Sequence, residues 1–119
     1  MSVPPKVRAA VIARAESECE RCGRWCDIEA GSYSLQHRRS RSMGGSKAAD
    51  TNTAVNLALL CGHATEPGKC HFEVESHPSW AAQDGWRVPQ HKDPATVPIR
   101  HHMHGPVLLL PDATYGDAA

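Results

Sequence analysis

A small α+β domain held together by a metal ion is the fold this sequence predicts, on three observations. Among its 119 residues are a single Phe, two Tyr and three Trp, beside nine Gly and nine Pro. That is too little bulky apolar material for a thick core, and small domains of this kind usually need a metal or a disulfide. Four of the five cysteines form two pairs, Cys19-x2-Cys22 and Cys61-x8-Cys70, around the middle of the chain. Helical and strand-like patterns are both present, and both are short.

The elements follow in order. Pro4-Pro5 and the segment KVRAAVIARAESE predict an N-terminal helix with Val7, Ala10, Val11 and Ala15 on one face. Pro5 sits near the first turn, where a missing N–H costs little. Cys19-Glu-Arg-Cys22-Gly23 has the form of a zinc knuckle, two thiolates on a tight turn. Cys26 competes for the same metal, since Cys22-x3-Cys26 is also an acceptable spacing; Gly23 favours Cys19 and Cys22. Cys26 is then a free thiol or a small apolar filler. Tyr33 to His37 alternates like a strand, which puts Gln36 and His37 on opposite faces.

Residues 38–53 lack a hydrophobic period and contain Gly44-Gly45, so they read as a long loop, a feature that in compact domains tends to be functional. Asn56 to Leu60 is a short apolar run, strand or extended turn, leading into Cys61. Cys70 to Ser76 looks helical, with His71 and Glu75 one turn apart on one side. Pro78 should break that helix, and Ser79 to Asp84 forms a second piece ending at Gly85. Beyond Trp86 the chain is punctuated by proline, and its apolar pieces at 97–99 and 107–110 can pair as a hairpin. Residues 1–90 are expected to form the domain, and 91–119 a C-terminal extension, packed on it or loosely attached.

The formal net charge is zero, unlike most nucleic-acid binders, but the charge is unevenly placed. Residues 1–47 hold nine Lys/Arg against five Asp/Glu, and residues 72–119 hold three against six. The run Arg38, Arg39, Arg41 and Lys47 contains no acid, which suits a phosphate-facing surface; a solvated arginine loop is the plainer alternative. The charged start has only short apolar runs and no secretory signal. No stretch approaches the roughly 20 apolar residues of a membrane span. A reducing, cytoplasmic setting is therefore expected, in which thiolates bind metal rather than pair as disulfides.

The ordered set CERCG, LQHRRSRSMGGS and NLALLCGHATEPGKCHFEVESH resembles the His-Asn-His (HNH) endonuclease family, particularly its small stand-alone members in actinobacteria and their phages. The likeness covers roughly residues 5–90, with a weaker match in the tail. It implies a ββα-metal fold, a hairpin carrying His37 and a helix carrying His71. By position, His37 matches the general base, Asn56 the central Asn, and His71 a ligand of the catalytic metal. Cys19, Cys22, Cys61 and Cys70 match the structural zinc ligands. Gln36 stands where the family commonly has Asp or His as a further ligand. Glu75, one turn after His71, is the side chain that could compensate for that neutral amide. Eight residues separate Cys61 from Cys70 where two are usual; Gly62, Pro67 and Gly68 suit an excursion that keeps both sulfurs on one zinc.

The chemistry implied is hydrolysis of double-stranded DNA to 5′-phosphate and 3′-hydroxyl ends. A neutral imidazole takes a proton from water near neutrality. A divalent cation (Mg²⁺, Mn²⁺ or Ni²⁺) stabilises the departing oxygen. Asn56 would hold the loop, orient the imidazole or ligate the metal, and Arg38 or Arg39 would neutralise phosphate charge. Similarity to phage members suggests genome processing or packaging beside a terminase. Gln36 also gives weight to a different class of function, a zinc-knuckle DNA-binding or assembly protein impaired in catalysis. His63, His77 and the His101-His102-Met103-His104 cluster read as surface or turn residues, and Trp80 and Trp86 as packing.

Overall fold

A computed structural model describes residues 3–40 and 51–118. Its elements are α1 (Pro5–Ala15), β1 (Tyr33–His37), β2 (Leu57–Cys61), α2 (Cys70–Ser76), α3 (Pro78–Gln83), β3 (Ile99–His101), β4 (Gly105–Leu109) and β5 (Tyr115–Asp117). Short 3₁₀ turns at Ala54–Asn56 and Pro94–Thr96 precede β2 and β3. The strands form two antiparallel sheets, β1-β2 and β3-β4-β5. In the first, Tyr33 pairs with Cys61 and His37 with Leu57.

Strand β2 is the centre of the molecule, and its sequence explains why. LALLC is apolar at every position, as in strands buried on both faces, and all five residues are buried. By strand alternation Leu57 and Leu59 face one way, packing with Val11, Ala15 and Ala54 against α1. Ala58 and Leu60 face the other way, among Cys19, Cys70, Val74, Trp86, Ile99, Val107 and Leu109. Three of that second set come from β3 and β4. Residues 91–118 therefore contribute to the same core as the segment before them.

Helix α1 ends where Glu16 and Ser17 turn left-handed, at φ 54° and 61°. Its buried face is Val11, Arg14 and Ala15, so a cation lies where the period predicts apolar contact. Arg14 makes two bonds to the Glu20 carboxylate, 2.8 and 3.0 Å, and donates to the carbonyls of Ala54 and Leu57. Glu20 is fully buried and also accepts from Leu59 N and Tyr115 Oη at 2.8 and 2.6 Å. A buried ion pair holds only when its remaining hydrogen-bonding capacity is filled. Here the filling groups come from β2 and β5, so the pair ties α1 to both sheets.

Gly85 stops α3 at φ +82°, and a Cβ there would stand 1.9 Å from the Pro98 carbonyl oxygen. Only glycine allows that crossing, which brings β3 against the end of α3. Among the described residues no helix is long and apolar enough to cross a membrane.

Candidate metal centre and adjoining cleft

The sulfurs of Cys19, Cys22, Cys61 and Cys70 lie within 4.8 Å of one another, a cluster that could hold a metal ion. All five cysteines are free thiols. Zinc–sulfur bonds of about 2.3 Å in a tetrahedron require sulfurs about 3.8 Å apart, and Cys22 Sγ and Cys61 Sγ are separated by 3.8 Å. The donor set thus fits structural zinc. The knuckle forms because Gly23, at φ +82°, lets its N–H reach the Cys19 carbonyl, while Cys19 N–H reaches Arg24 O; both bonds measure 2.8 Å. The excursion from Gly62 to Lys69 returns the chain so that Cys70 opens α2 beside Cys61.

Polar hydrogens converge on the sulfurs. Cys70 N–H donates to Cys61 Sγ and Arg21 Nη1 to Cys70 Sγ, each at 3.3 Å. A hydrogen bond from Cys70 draws the Cys19 thiol down to about 5, while its partner Cys70 is pushed up. Packed thiolates repel, so without a cation some sulfurs keep protons; a divalent ion would replace them. Cys26 stands outside the cluster. It is buried, its thiol is raised to about 12 by that burial, and its Sγ is 3.7 Å from the Arg24 carbonyl oxygen.

A cleft of about 420 Å³ opens beside this centre, bordered by Gln36, His37, Ser40, His71, Glu75 and Arg87, with Arg38 in its wall. Gln36 and His37, expected on opposite faces, both border it because the cleft wraps the end of β1. The hydrogen bonds around the two imidazoles fix their tautomers. Ser34 Oγ has one hydrogen and donates it to the Gly62 carbonyl oxygen, 2.6 Å away, which can only accept. Ser34 must therefore accept from His71 Nδ1 at 2.7 Å, leaving His71 Nε2 with its lone pair. Burial lowers the His71 pKa, against the opposing pull of Glu75, so the ring is neutral and able to ligate. His37 has the complementary arrangement. Its Nε2 meets Asn52 Oδ1 at 2.8 Å; that oxygen only accepts, so Nε2 is the donor, and the neutral tautomer of this ring is the one with its lone pair on Nδ1.

Glu75 spans the cleft. Its Oε1 is 3.6 Å from His71 Nε2, and its Oε2 accepts from Arg87 Nη1 at 3.2 Å. Gln36 donates from Nε2 to the His37 carbonyl at 3.3 Å, and its Oε1 accepts no hydrogen bond among the described residues. The cleft thus offers one imidazole nitrogen, one carboxylate and one amide oxygen. That set contains two His, Cys, Asp or Glu ligands, against four in the sulfur cluster.

One expected role needs correction and another is narrowed. Arg38, expected at a phosphate-facing surface, is 2% exposed. Its guanidinium donates to the carbonyls of Gly85, Val55, Pro94 and Val97, so it is a structural centre rather than a DNA contact. Asn56, expected among the catalytic side chains, is fully buried and holds backbone. Its Oδ1 accepts from Arg39 N at 2.7 Å, and its Nδ2 donates to Arg39 O and Thr51 O at 3.1 and 2.9 Å. Of the roles open to it, loop-holding is the one these bonds support. Arg39 is half-buried, and its guanidinium donates to the Lys92 carbonyl. Arg41 and Lys47 lie outside the described residues.

Ser34, Asn52 and Arg87, which orient or border this site, were not anticipated. Ser34 had a legible signal, since it shares a strand face with Gln36. Asn52 and Arg87 had none, because the loop and turn that carry them have no periodicity. His63 is exposed beside Glu66, and His77 stacks on Trp80 with centroids 5.6 Å apart. His101 accepts the amide hydrogens of Met103 and His104 on Nδ1, which makes it the cap of its own turn. No family model, curated protein or solved structure matches the chain.

Proposed function

We propose that the chain is a metal-dependent DNA endonuclease of the HNH type, with β1, β2 and α2 as its ββα-metal motif. The observation that carries this reading is the pairing of two imidazoles of complementary tautomer on one cleft. His37 offers an acid–base nitrogen, and His71 offers a ligand nitrogen. The four-cysteine cluster supports it further, because Cys70 and His71 are consecutive: whatever fixes the sulfur fixes the start of the helix bearing the imidazole.

In this reading His37 Nδ1 accepts a proton from water as the oxygen attacks phosphorus, and Asn52 holds the ring by its other nitrogen. The bond from phosphorus to the 3′ oxygen breaks, leaving a 5′-phosphate and, after protonation, a 3′-hydroxyl. His71 Nε2, Glu75 and Gln36 Oε1 would hold Mg²⁺, Mn²⁺ or Ni²⁺, which supplies Lewis-acid stabilisation of charge on the scissile phosphate. Asn56 acts indirectly, by fixing the backbone around Arg39. Double-stranded DNA is the proposed substrate. A place beside a phage terminase rests on the family likeness alone.

Nicking of supercoiled plasmid in each of the three metals tests the proposal. Wild type should convert supercoiled to open-circular DNA, and His37→Ala should lose at least ~100-fold in rate, the scale of general-base catalysis. Equal rates for the two would remove His37 from the chemistry. The neutral Gln36 favours a second reading, DNA binding without hydrolysis. Gel shifts without turnover in any metal, with cleavage appearing in Gln36→Asp, would select it.

A further inference from the structure

Burial of Arg38 removes one of the two arginines expected to meet phosphate, and the structure offers another. Arg87 borders the cleft and also an adjoining groove of about 300 Å³, walled by Pro78 and Ala82 of α3 on one side and Gln90 on the other. Ser40 borders both spaces too, and Gln90 Nε2 donates to its carbonyl, so the loop after β1 and the segment after α3 are tied where the spaces meet. The Arg87 side chain is 36% exposed. One of its nitrogens is on Glu75 Oε2, and the others make no hydrogen bond among the described residues.

A guanidinium anchored through one nitrogen is pre-set in direction, and its remaining edge presents parallel donors suited to phosphate. The apolar lining beyond it, from Pro78, Ala82 and Pro89, suits the sugar face of a strand better than a second charged partner. We infer that the cut strand leaves the catalytic cleft across Arg87 into this groove, and that Arg87 contacts a backbone phosphate there. The inference rests on the endonuclease reading and adds to it a direction for the substrate and a residue that grips it.

Its test measures binding and cleavage together. Affinity for a fluorescent DNA duplex is measured in a His37→Ala background between 50 and 200 mM NaCl, and cleavage in the His37 protein, each with Arg87, Arg87→Ala or Arg87→Lys. Loss of one phosphate contact should reduce the slope of log affinity against log salt by about 0.9. Arg87→Ala should also lower kcat/KM by about 30-fold, the scale of one lost hydrogen bond to a charged group. Arg87→Lys should restore the slope, because it keeps the charge, but not the rate, because it lacks the planar fork. Zinc content and thermal midpoint should be unchanged, since Arg87 is at the surface. A fall in rate with an unchanged slope would assign Arg87 to holding Glu75 and overturn the strand path. An unchanged slope and rate would overturn it as well. In both cases a wild type that cuts, beside an inert His37→Ala, leaves the endonuclease reading standing. A wild type that neither binds nor cuts would overturn both.

Discussion

Arg38 and Arg39 are adjacent and identical in type, yet one is interior and the other half-buried. The difference lies in where their backbone leaves β1. Arg38 N–H still pairs with Asn56 O at 2.8 Å, so its side chain follows the strand into the protein and meets four carbonyls from three segments. Burial, opposed only weakly by Glu20, lowers its pKa to about 9, which leaves it charged at neutral pH. Arg38→Ala would orphan those carbonyls at ~1–3 kcal/mol for each poorly hydrated group, a total loss of about 3–5 kcal/mol after partial water entry. Arg38→Lys should lose nearly as much, because an ammonium cannot reach acceptors spread around a planar fork. Chemical denaturation measures both; a midpoint unmoved by Arg38→Ala would return Arg38 to the phosphate-binding role. This residue marks where sequence reading stops. The cysteine pairs were legible because ligand chemistry imposes spacing on them, whereas the two imidazoles were singled out by the HNH resemblance. Arg38 and Glu20 were not, because a buried charge depends on acceptors supplied by distant segments, which composition does not record. Arg14 gave a partial signal, since it falls three residues after Val11 on the buried face of α1.

Among elements, α2 links the sulfur cluster to the cleft, which β1 borders from the other side. Strand β2 ends in Cys61 and α2 opens with Cys70, so the sulfur cluster joins the two at their ends. His71 follows one position later and turns about 100° around the helix, away from the sulfurs and towards Ser34 of β1. The strand alternation that placed Gln36 was readable, and Ser34 shares its face, but that a helix would deliver an imidazole to it required the closed loop from Gly62 to Lys69. This coupling predicts that the cysteine cluster governs the cleft. Metal analysis should find one zinc per chain, and a strong chelator should abolish the cooperative unfolding transition, because structural zinc contributes on the order of 10 kcal/mol in small domains. Cys26→Ala should keep one zinc, since Cys26 lies outside the cluster, whereas Cys61→Ser should lose it. Equal zinc content in those two variants would mean the ligand set has been misassigned.

At the scale of the whole molecule, the question is whether the site-bearing segment can stand without the residues after it. Their apolar pieces looked in sequence like a hairpin at the margin, since prolines interrupt them and no period links them to the rest. In the fold they close the core. Ile99 and Leu109 are fully buried and Val107 nearly so, against β2, α2 and Trp86. Pro94 and Val97 supply two of the four carbonyls on Arg38, and Tyr115 supplies a hydrogen bond to the buried Glu20. Burial of three aliphatic side chains stabilises by ~1.5–3 kcal/mol each, so deletion of residues 91–119 removes about 5–9 kcal/mol before any polar group is counted. A domain of this size has ~5–15 kcal/mol in all, and the deletion also leaves Arg38 and Glu20 short of partners while buried. The truncated chain should therefore show no cooperative thermal transition and poor dispersion of its amide resonances, even with zinc supplied in excess. A sharp transition from residues 1–90 alone would mean that the cysteine cluster suffices to order the cleft, and that the second sheet is an attachment rather than a wall of the core.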